Sequence, residues 1–131
     1  MFEKLLKMGE YLIDFNRILG LDIQPRTIYR STGLPAHMVK RKHFKCLKYI
    51  DYIPDILSNP DYIGINPNEK SGDSMEFVKR YKDNVLVGVK ISENKDYLYV
   101  STVYDIQESK IRRRLHSGRL KIFDKEQATG G

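Results

Sequence analysis

Apolar residues recur along the first twenty positions in the pattern of a helix with one wet face. Leu5, Leu12 and Leu19 stand at heptad spacing with Met8 and Phe15 between them, while Lys4, Lys7, Asp14 and Arg17 fall on other faces. The spacing predicts an amphipathic helix over Phe2 to Leu19, stopped by Gly20 and followed by a connector through Pro25. The mixed charge of its wet side favours packing on a core over lying on a membrane surface. Thr27 to Arg30 is β-type and runs into Ser31-Thr32-Gly33, which reads as a strand turning into a helix, with Ser31 or Thr32 as N-cap. That helix begins at Leu34. A second helical stretch, Phe44 to Tyr52, sets Leu47 and Ile50 on one side. Proline breaks a helix interior but suits a first turn, so Pro54 to Leu57 reads as a new short helix, and Asn59-Pro60 ends the helical region.

Beyond this point the period changes from helix to strand. Tyr62 to Ile65 is short and β-like, Met75 to Tyr81 alternates, and Val85 to Ile91 is almost continuously apolar, as a central strand would be. Tyr97 to Tyr104 follows across a loop of hairpin length, Ser92 to Asp96, which makes these two strands antiparallel neighbours. Asp105 and Glu108 stand three apart before Ile111 and Leu115, a capping-box-like start for a helix that Ser117-Gly118 ends. Arg119 to Phe123 reads as a last edge strand and Asp124 to Gly131 as a frayed tail. Helices first and a meander after predict an α+β fold: N-terminal helices packed on a mainly antiparallel sheet of about four strands. The 131 residues suit one domain, with a helix and connector over 1–26, a core over 27–123 and a tail over 124–131.

Charge changes the picture once it is located along the chain. Lys40, Arg41, Lys42, Lys45 and Lys48 fall between His37 and Lys48 with no acid among them. Lys110, Arg112, Arg113, Arg114, Arg119 and Lys121 form a second acid-free tract. Eleven of the 23 Lys and Arg residues stand in these tracts, so the rest of the chain is net acidic although the whole carries +6. Such segregation suits a polyanion, because it focuses positive potential onto a phosphate backbone. The longest apolar runs are far shorter than the roughly 20 residues of a membrane-spanning helix. The first residues lack the uninterrupted apolar centre of an export signal. The single cysteine, Cys46, fits a reducing compartment and reads as a small buried residue. A soluble, cytoplasmic protein is the expectation.

Three constellations could carry chemistry. One is aromatic: of the nine tyrosines, Tyr97, Tyr99 and Tyr104 around Ser101 and Thr102 could supply base-stacking surfaces or hydroxyls near phosphorus, although β-propensity alone accounts for most of the nine. His37-Met-Val-Lys-Arg-Lys-His43 joins two imidazoles to three cations, including Lys40 and Lys42. Imidazole transfers protons near neutral pH, and cations stabilise charge growing on phosphorus, which together suit RNA cleavage by internal 2'-hydroxyl attack without a metal or other cofactor. Six positions apart, the two histidines cannot share one face of a regular helix, so they meet only if the helix ends between them. KIRRRLHSGRLK, over Lys110 to Lys121, offers guanidinium forks beside Ser117-Gly118, with Arg112, Arg114, Arg119 and Lys121 as phosphate-binding candidates. GxGxxG, Walker-type loops, paired CxxC and HExxH are absent from the sequence. With one Cys and three His, no zinc site is expected.

The succession IYRSTGLPAHMVKRKH, NPDYIG, LYVSTVYDI and KIRRRLHSGRLK resembles the phage-associated nucleases of the barnase, EndoU, colicin and RelE type, over about Ile28 to Lys121. That resemblance implies N-terminal helices against a four-stranded antiparallel sheet and a metal-independent ribonuclease. On the matching positions it points to His37 or His43 as base or acid, Thr102 and Ser117 as polar groups near the scissile phosphate, and Arg114 and Arg119 as phosphate clamps. RNA is the expected partner, with an inhibitor protein as a further one. Two other readings stand beside the enzyme: a non-catalytic nucleic-acid-binding protein of a mobile element, and an antitoxin-like or immunity-like interaction module.

Overall fold

Every strand foreseen in the second half forms, but the sheet that gathers them is larger and differently built than expected. The computed structural model describes residues 4–67, 74–92 and 96–123, so the tail and part of the 92–96 loop lie outside the described residues. Seven strands form one sheet: β1 (Leu5–Glu10), β2 (Thr27–Ser31), β3 (Tyr62–Ile65), β4 (Ser74–Arg80), β5 (Asn84–Ile91), β6 (Leu98–Asp105) and β7 (Leu120–Ile122). Their order is β1-β2-β6-β5-β4-β3-β7. β2 and β6 run parallel and all other neighbours antiparallel, so the sheet is mixed. The expected sheet of about four antiparallel strands is thereby corrected, within a fold that remains α+β. The continuously apolar β5 is the fourth strand of the seven and β7 lies at an edge, where the sequence pattern put them.

The expected N-terminal helix is the second correction. Its first half is strand β1, and only Ile13–Leu19 forms a helix, α1. Periodicity alone could not separate the two, because β1 is held by a partner more than ten residues away: it pairs with β2, from Leu5 opposite Ser31 to Glu10 opposite Thr27. Gly9 weakens a helix there, and the strand uses it at a register shift, with a φ of +155° that side chains rarely adopt. The apolar stripe is correspondingly divided. Leu5 and Leu6 remain exposed, whereas Tyr11, Phe15 and Leu19 are buried.

The remaining helices are short. α2 spans Leu34–Lys40, a 3-10 helix spans Phe44–Tyr52, α3 spans Ile53–Ser58 with Pro54 in its first turn, and α4 spans Glu108–Ser117. Gly20 and Gly118 end α1 and α4 in the left-handed region, as the sequence suggested. The expected caps differ. Gly33, not Ser31 or Thr32, is the N-cap of α2, and Gln107 that of α4. Asp105 stays extended as the last residue of β6, opposite Val85, while Glu108 bonds Arg80 and Asn84. Long-range pairing has claimed both acids of the supposed capping box. Among the described residues no helix is long and apolar enough to cross a membrane.

Two unequal cores cover the two faces of the sheet. On the first face, α1, α2, the 3-10 helix and α3 bury Phe15, Met38, Cys46 and Ile53 against Phe77, Val87 and Val103. Phe15 meets Phe77 and Phe123 edge-on at 5.2 Å each, a geometry that aromatic quadrupoles favour. Cys46 is fully buried, and burial pushes its thiol up to about 11, away from reactivity. The second face carries a smaller cluster, Val78, Leu86, Ile106, Ile111 and Leu120, built around α4. Helix α4 is too short to cover that whole face, and the uncovered part holds a cavity.

Asp83, in the turn between β4 and β5, pins the 3-10 helix to the sheet. It accepts a hydrogen bond from the Tyr49 hydroxyl at 2.8 Å and ion pairs from Lys45 and Lys48 at 3.2 Å each. The Tyr49 hydrogen bond, followed by that of Lys45, lowers the Asp83 carboxyl from 3.8 to about 2. A carboxyl held below its unfolded value contributes stability that is complete above about pH 4 and lost as pH falls toward 2. Urea denaturation across this range is therefore expected to show a loss of stability between pH 4 and 2 that Asp83→Asn removes, its curve being flatter and lower at pH 7.

Candidate active site

The first basic tract meets the open part of the second sheet face because α2 ends abruptly. After Lys40 the chain closes a paired C-terminal turn: the His43 amide donates to the Met38 carbonyl at 2.8 Å and the Lys42 amide to the Val39 carbonyl at 3.0 Å. This geometry needs a left-handed residue, and Lys42 supplies it with φ +62°, the single non-glycine residue at positive φ among those described. The helix thus stops between His37 and His43, the condition under which they can meet. Both line one cavity of about 270 Å³. His37 is exposed at its rim and His43 half-buried.

The floor of this cavity comes from strands β4, β5 and β6. Glu76, Gly88 and Thr102 lie side by side across the sheet, and the next row brings Ser74 beside Lys90. A Cβ on Gly88 would come within 2.8 Å of the Thr102 methyl, so glycine keeps the floor open. On β6 a bulge changes the alternation: Gly88 opposes Thr102, yet Val89 opposes Val100, leaving Ser101 extra. Ser101 and Thr102 therefore both line the cavity, while Val100 and Val103 stay in the first core. The Ser101 hydroxyl donates to the Gly88 carbonyl at 3.2 Å. Tyr104 stands 5.5 Å from the His43 ring. The Nδ1 of His43 is buried and has no partner among the described residues, a state that costs free energy unless something else pairs it.

Of the residues singled out from sequence, the cavity unites His37, Arg41, His43, Ser101, Thr102 and Tyr104, and adds Glu76, Gly88 and Lys90. The second tract is placed elsewhere. Lys110, Arg113, Arg114, Ser117 and Arg119 line a separate depression. Arg119 donates from Nε and Nη2 to the two carboxylate oxygens of Glu76 at 2.8 and 2.9 Å, and Arg114 reaches the same group at 3.4 Å. Since Glu76 lines the first cavity and the arginines the second, their ion pair is the wall between the two. The Ser117 hydroxyl donates back to the Arg114 carbonyl at 3.2 Å. Lys40, Lys42 and Arg112 are exposed outside these cavities, and Lys121 donates to the Ile18 carbonyl on α1.

Two signals in the sequence could have found residues that were not singled out. A glutamate between Met75 and Phe77 is a charge inside a buried strand, which is maintained only when paired. Gly88 interrupts a run of aliphatics. Each marks a place where the sheet departs from uniform packing. Lys90 carried no comparable signal at the end of an apolar strand.

The sequence model of a family described as phage-Barnase-EndoU-ColicinE5/D-RelE like nuclease3 matches residues 6–113, most of the chain. No curated protein and no solved structure matches.

Two stability measurements test the construction of the site. Glu76 is 3% exposed, so Glu76→Gln leaves two part-buried guanidiniums without their counter-charge and is expected to cost about 2–3 kcal/mol in urea denaturation. Lys42→Gly relieves a left-handed lysine at the price of a more flexible unfolded chain, and is expected to raise Tm by roughly 2–4 °C in thermal melts. A fall in Tm would mean that Lys42 makes a stabilising contact that outweighs its strained backbone.

Proposed function

The chain belongs to the phage-Barnase-EndoU-ColicinE5/D-RelE like nuclease3 family, and on that premise we propose that it is a ribonuclease cleaving by 2'-hydroxyl attack at the His37–His43 cavity. The observation that carries this reading is the convergence of two imidazoles, from either side of a helix end, on a polar floor with Arg41 and Lys90. One histidine takes the proton of the ribose 2'-hydroxyl. The 2'-oxygen then bonds to phosphorus as the bond to the 5'-oxygen breaks, and the other histidine protonates that leaving oxygen. The products are a 2',3'-cyclic phosphate and a free 5'-hydroxyl.

Charge grows on the non-bridging oxygens during this step, and groups already oriented toward it stabilise it most. Arg41, Lys90 and the Thr102 hydroxyl line the cavity and serve this role, while exposed Lys40 and Lys42 extend the positive rim along the strand. Arg114 and Arg119, held by Glu76, shape the wall, and with Lys110, Arg113 and Ser117 they offer a second contact for a phosphate further along the RNA. Arg112 and Lys121 contribute to the field without lining the cavity. The step needs no metal, because acid, base and cations are all side chains. Among the described residues no three His, Cys, Asp or Glu side chains group as metal ligands.

Purified protein is expected to cleave RNA oligonucleotides to cyclic-phosphate ends, to leave the all-deoxy analogues intact, and to do so in EDTA. His37→Ala and His43→Ala are each expected to lower the rate by about 10²- to 10⁴-fold. Cleavage of the DNA analogue, abolition by EDTA, or full activity in both variants would overturn the reading. Salt-dependent RNA binding without cleavage would leave a binding protein in its place.

A further inference from the structure

Next to the cavity lies a second groove of different character. It is lined by Ser31, Gly33, Leu34, His37, Tyr99, Val100 and Ser101, with a volume of about 250 Å³. His37 and Ser101 line both spaces, so groove and cavity are continuous through them. The chemistry of the two halves contrasts. The cavity gathers Arg41, Lys90, Glu76 and the two histidines, whereas the groove holds no Lys, Arg, Asp or Glu among its lining residues. A phosphate entering the groove would meet no Lys or Arg side chain. A flat, mostly apolar ring system with a few hydrogen-bonding edges would meet an aromatic ring, aliphatic walls and the hydroxyls of Ser31 and Ser101.

The groove exists because two parallel strands separate. The β2–β6 ladder consists of Ile28 opposite Leu98 and Tyr29 opposite Tyr99. Past Tyr29, β2 runs on through Arg30 and Ser31 paired with β1 alone and then turns through Gly33 into α2, while β6 continues to Asp105. The ladder therefore stops at the groove, and the Val100–Ser101 edge of β6 has no β2 residue opposite it. Main-chain groups along such an edge suit the donor and acceptor pattern of a base. Tyr99 sits on the same sheet face as Lys90, its cross-strand neighbour, and so on the face of the cavity.

We propose that this fork is a nucleobase subsite, with Tyr99 as its stacking platform, that seats a base flanking the phosphate held at His37. This assignment rests on the reading of the cavity as the site of RNA cleavage and deepens it: the enzyme grips its substrate through a base beside the reacting phosphate as well as through charge. Stacking on an aromatic side chain discriminates weakly among bases, and the β6 edge at Val100–Ser101 adds the selectivity.

The test separates binding from cleavage. Fully 2'-O-methylated RNA oligonucleotides, in which 2'-attack is blocked, are titrated by fluorescence anisotropy with and without one abasic position stepped along the strand. Wild-type protein and Tyr99→Phe are expected to bind the intact oligonucleotide alike. Tyr99→Ala and Tyr99→Leu are expected to bind it on the order of 10- to 100-fold more weakly. Against the oligonucleotide abasic at the seated position, that difference is expected to vanish. Leucine keeps the bulk of the site, and thermal melting of each variant checks that it is folded. An equal loss on intact and abasic strands, or none at all, overturns the subsite while cleavage of ordinary RNA by wild type leaves the ribonuclease standing. The expected binding pattern without any cleavage of ordinary RNA keeps the subsite and overturns the ribonuclease.

Discussion

A carboxylate buried in the middle of a sheet has to be paired, and the pairing of Glu76 with Arg119 organises the half of the molecule that carries the site. Glu76 occupies a strand position whose neighbours on either side are Gly64 and Gly88, so the sheet face is low around it. On one side the Arg119 backbone takes the space beside Gly64, where a Cβ would come within 2.0 Å of its carbonyl oxygen. On the other side the space above Gly88 remains open as the cavity. One ion pair therefore ties the segment after α4 to the central strands, seats β7 on the sheet edge and closes one wall of the site. Its worth lies in where it places these elements, since a buried pair gains little net energy over a well-packed apolar one.

The positive charge that distinguishes this chain is divided between holding the fold and facing the cavity. Lys45 and Lys48 fasten the 3-10 helix to Asp83 and so stabilise the first face. Arg114 and Arg119 are engaged with Glu76. Arg41 lines the cavity, and Lys40 and Lys42 remain exposed near its rim. A tract that reads as uniformly basic is thus interrupted in space by acids from β4 and the β4–β5 turn. The field at the cavity depends on which cations those acids leave unmatched, a quantity that counting along the chain cannot supply.

Two local irregularities give the site its shape. The left-handed Lys42 reverses the chain so that His37 on α2 and His43 beyond its end come to line the same space, and the bulge at Ser101 turns two consecutive β6 residues toward that space. Regular helix and regular strand would each have separated these groups, by 100° per residue in one and by the thickness of the sheet in the other. These two departures from regular geometry meet at the cavity, beside an otherwise ordinary core.

The sequence by itself determined the parts whose signals are local. Val85–Val89 is apolar enough to be central, Pro54 starts a helix, Gly20 and Gly118 stop two others, and Cys46 is buried. The segregation of basic residues and the paired histidines were legible because they are properties of composition and spacing. What only the tertiary structure decided were choices between equal local alternatives. Residues 5–10 carry an apolar pattern compatible with helix or strand, and a partner at 27–31 selects the strand, because ladder hydrogen bonds outweigh a weak helical preference broken by glycine. Glu76 stands out in the sequence as a charge inside an apolar strand, but its role comes from Arg119, 43 positions away. Whether the two basic tracts form one site or two was likewise a matter of which side of that carboxylate each tract lies on. Such outcomes depend on contacts between distant segments, and those are fixed by the packing of the whole sheet.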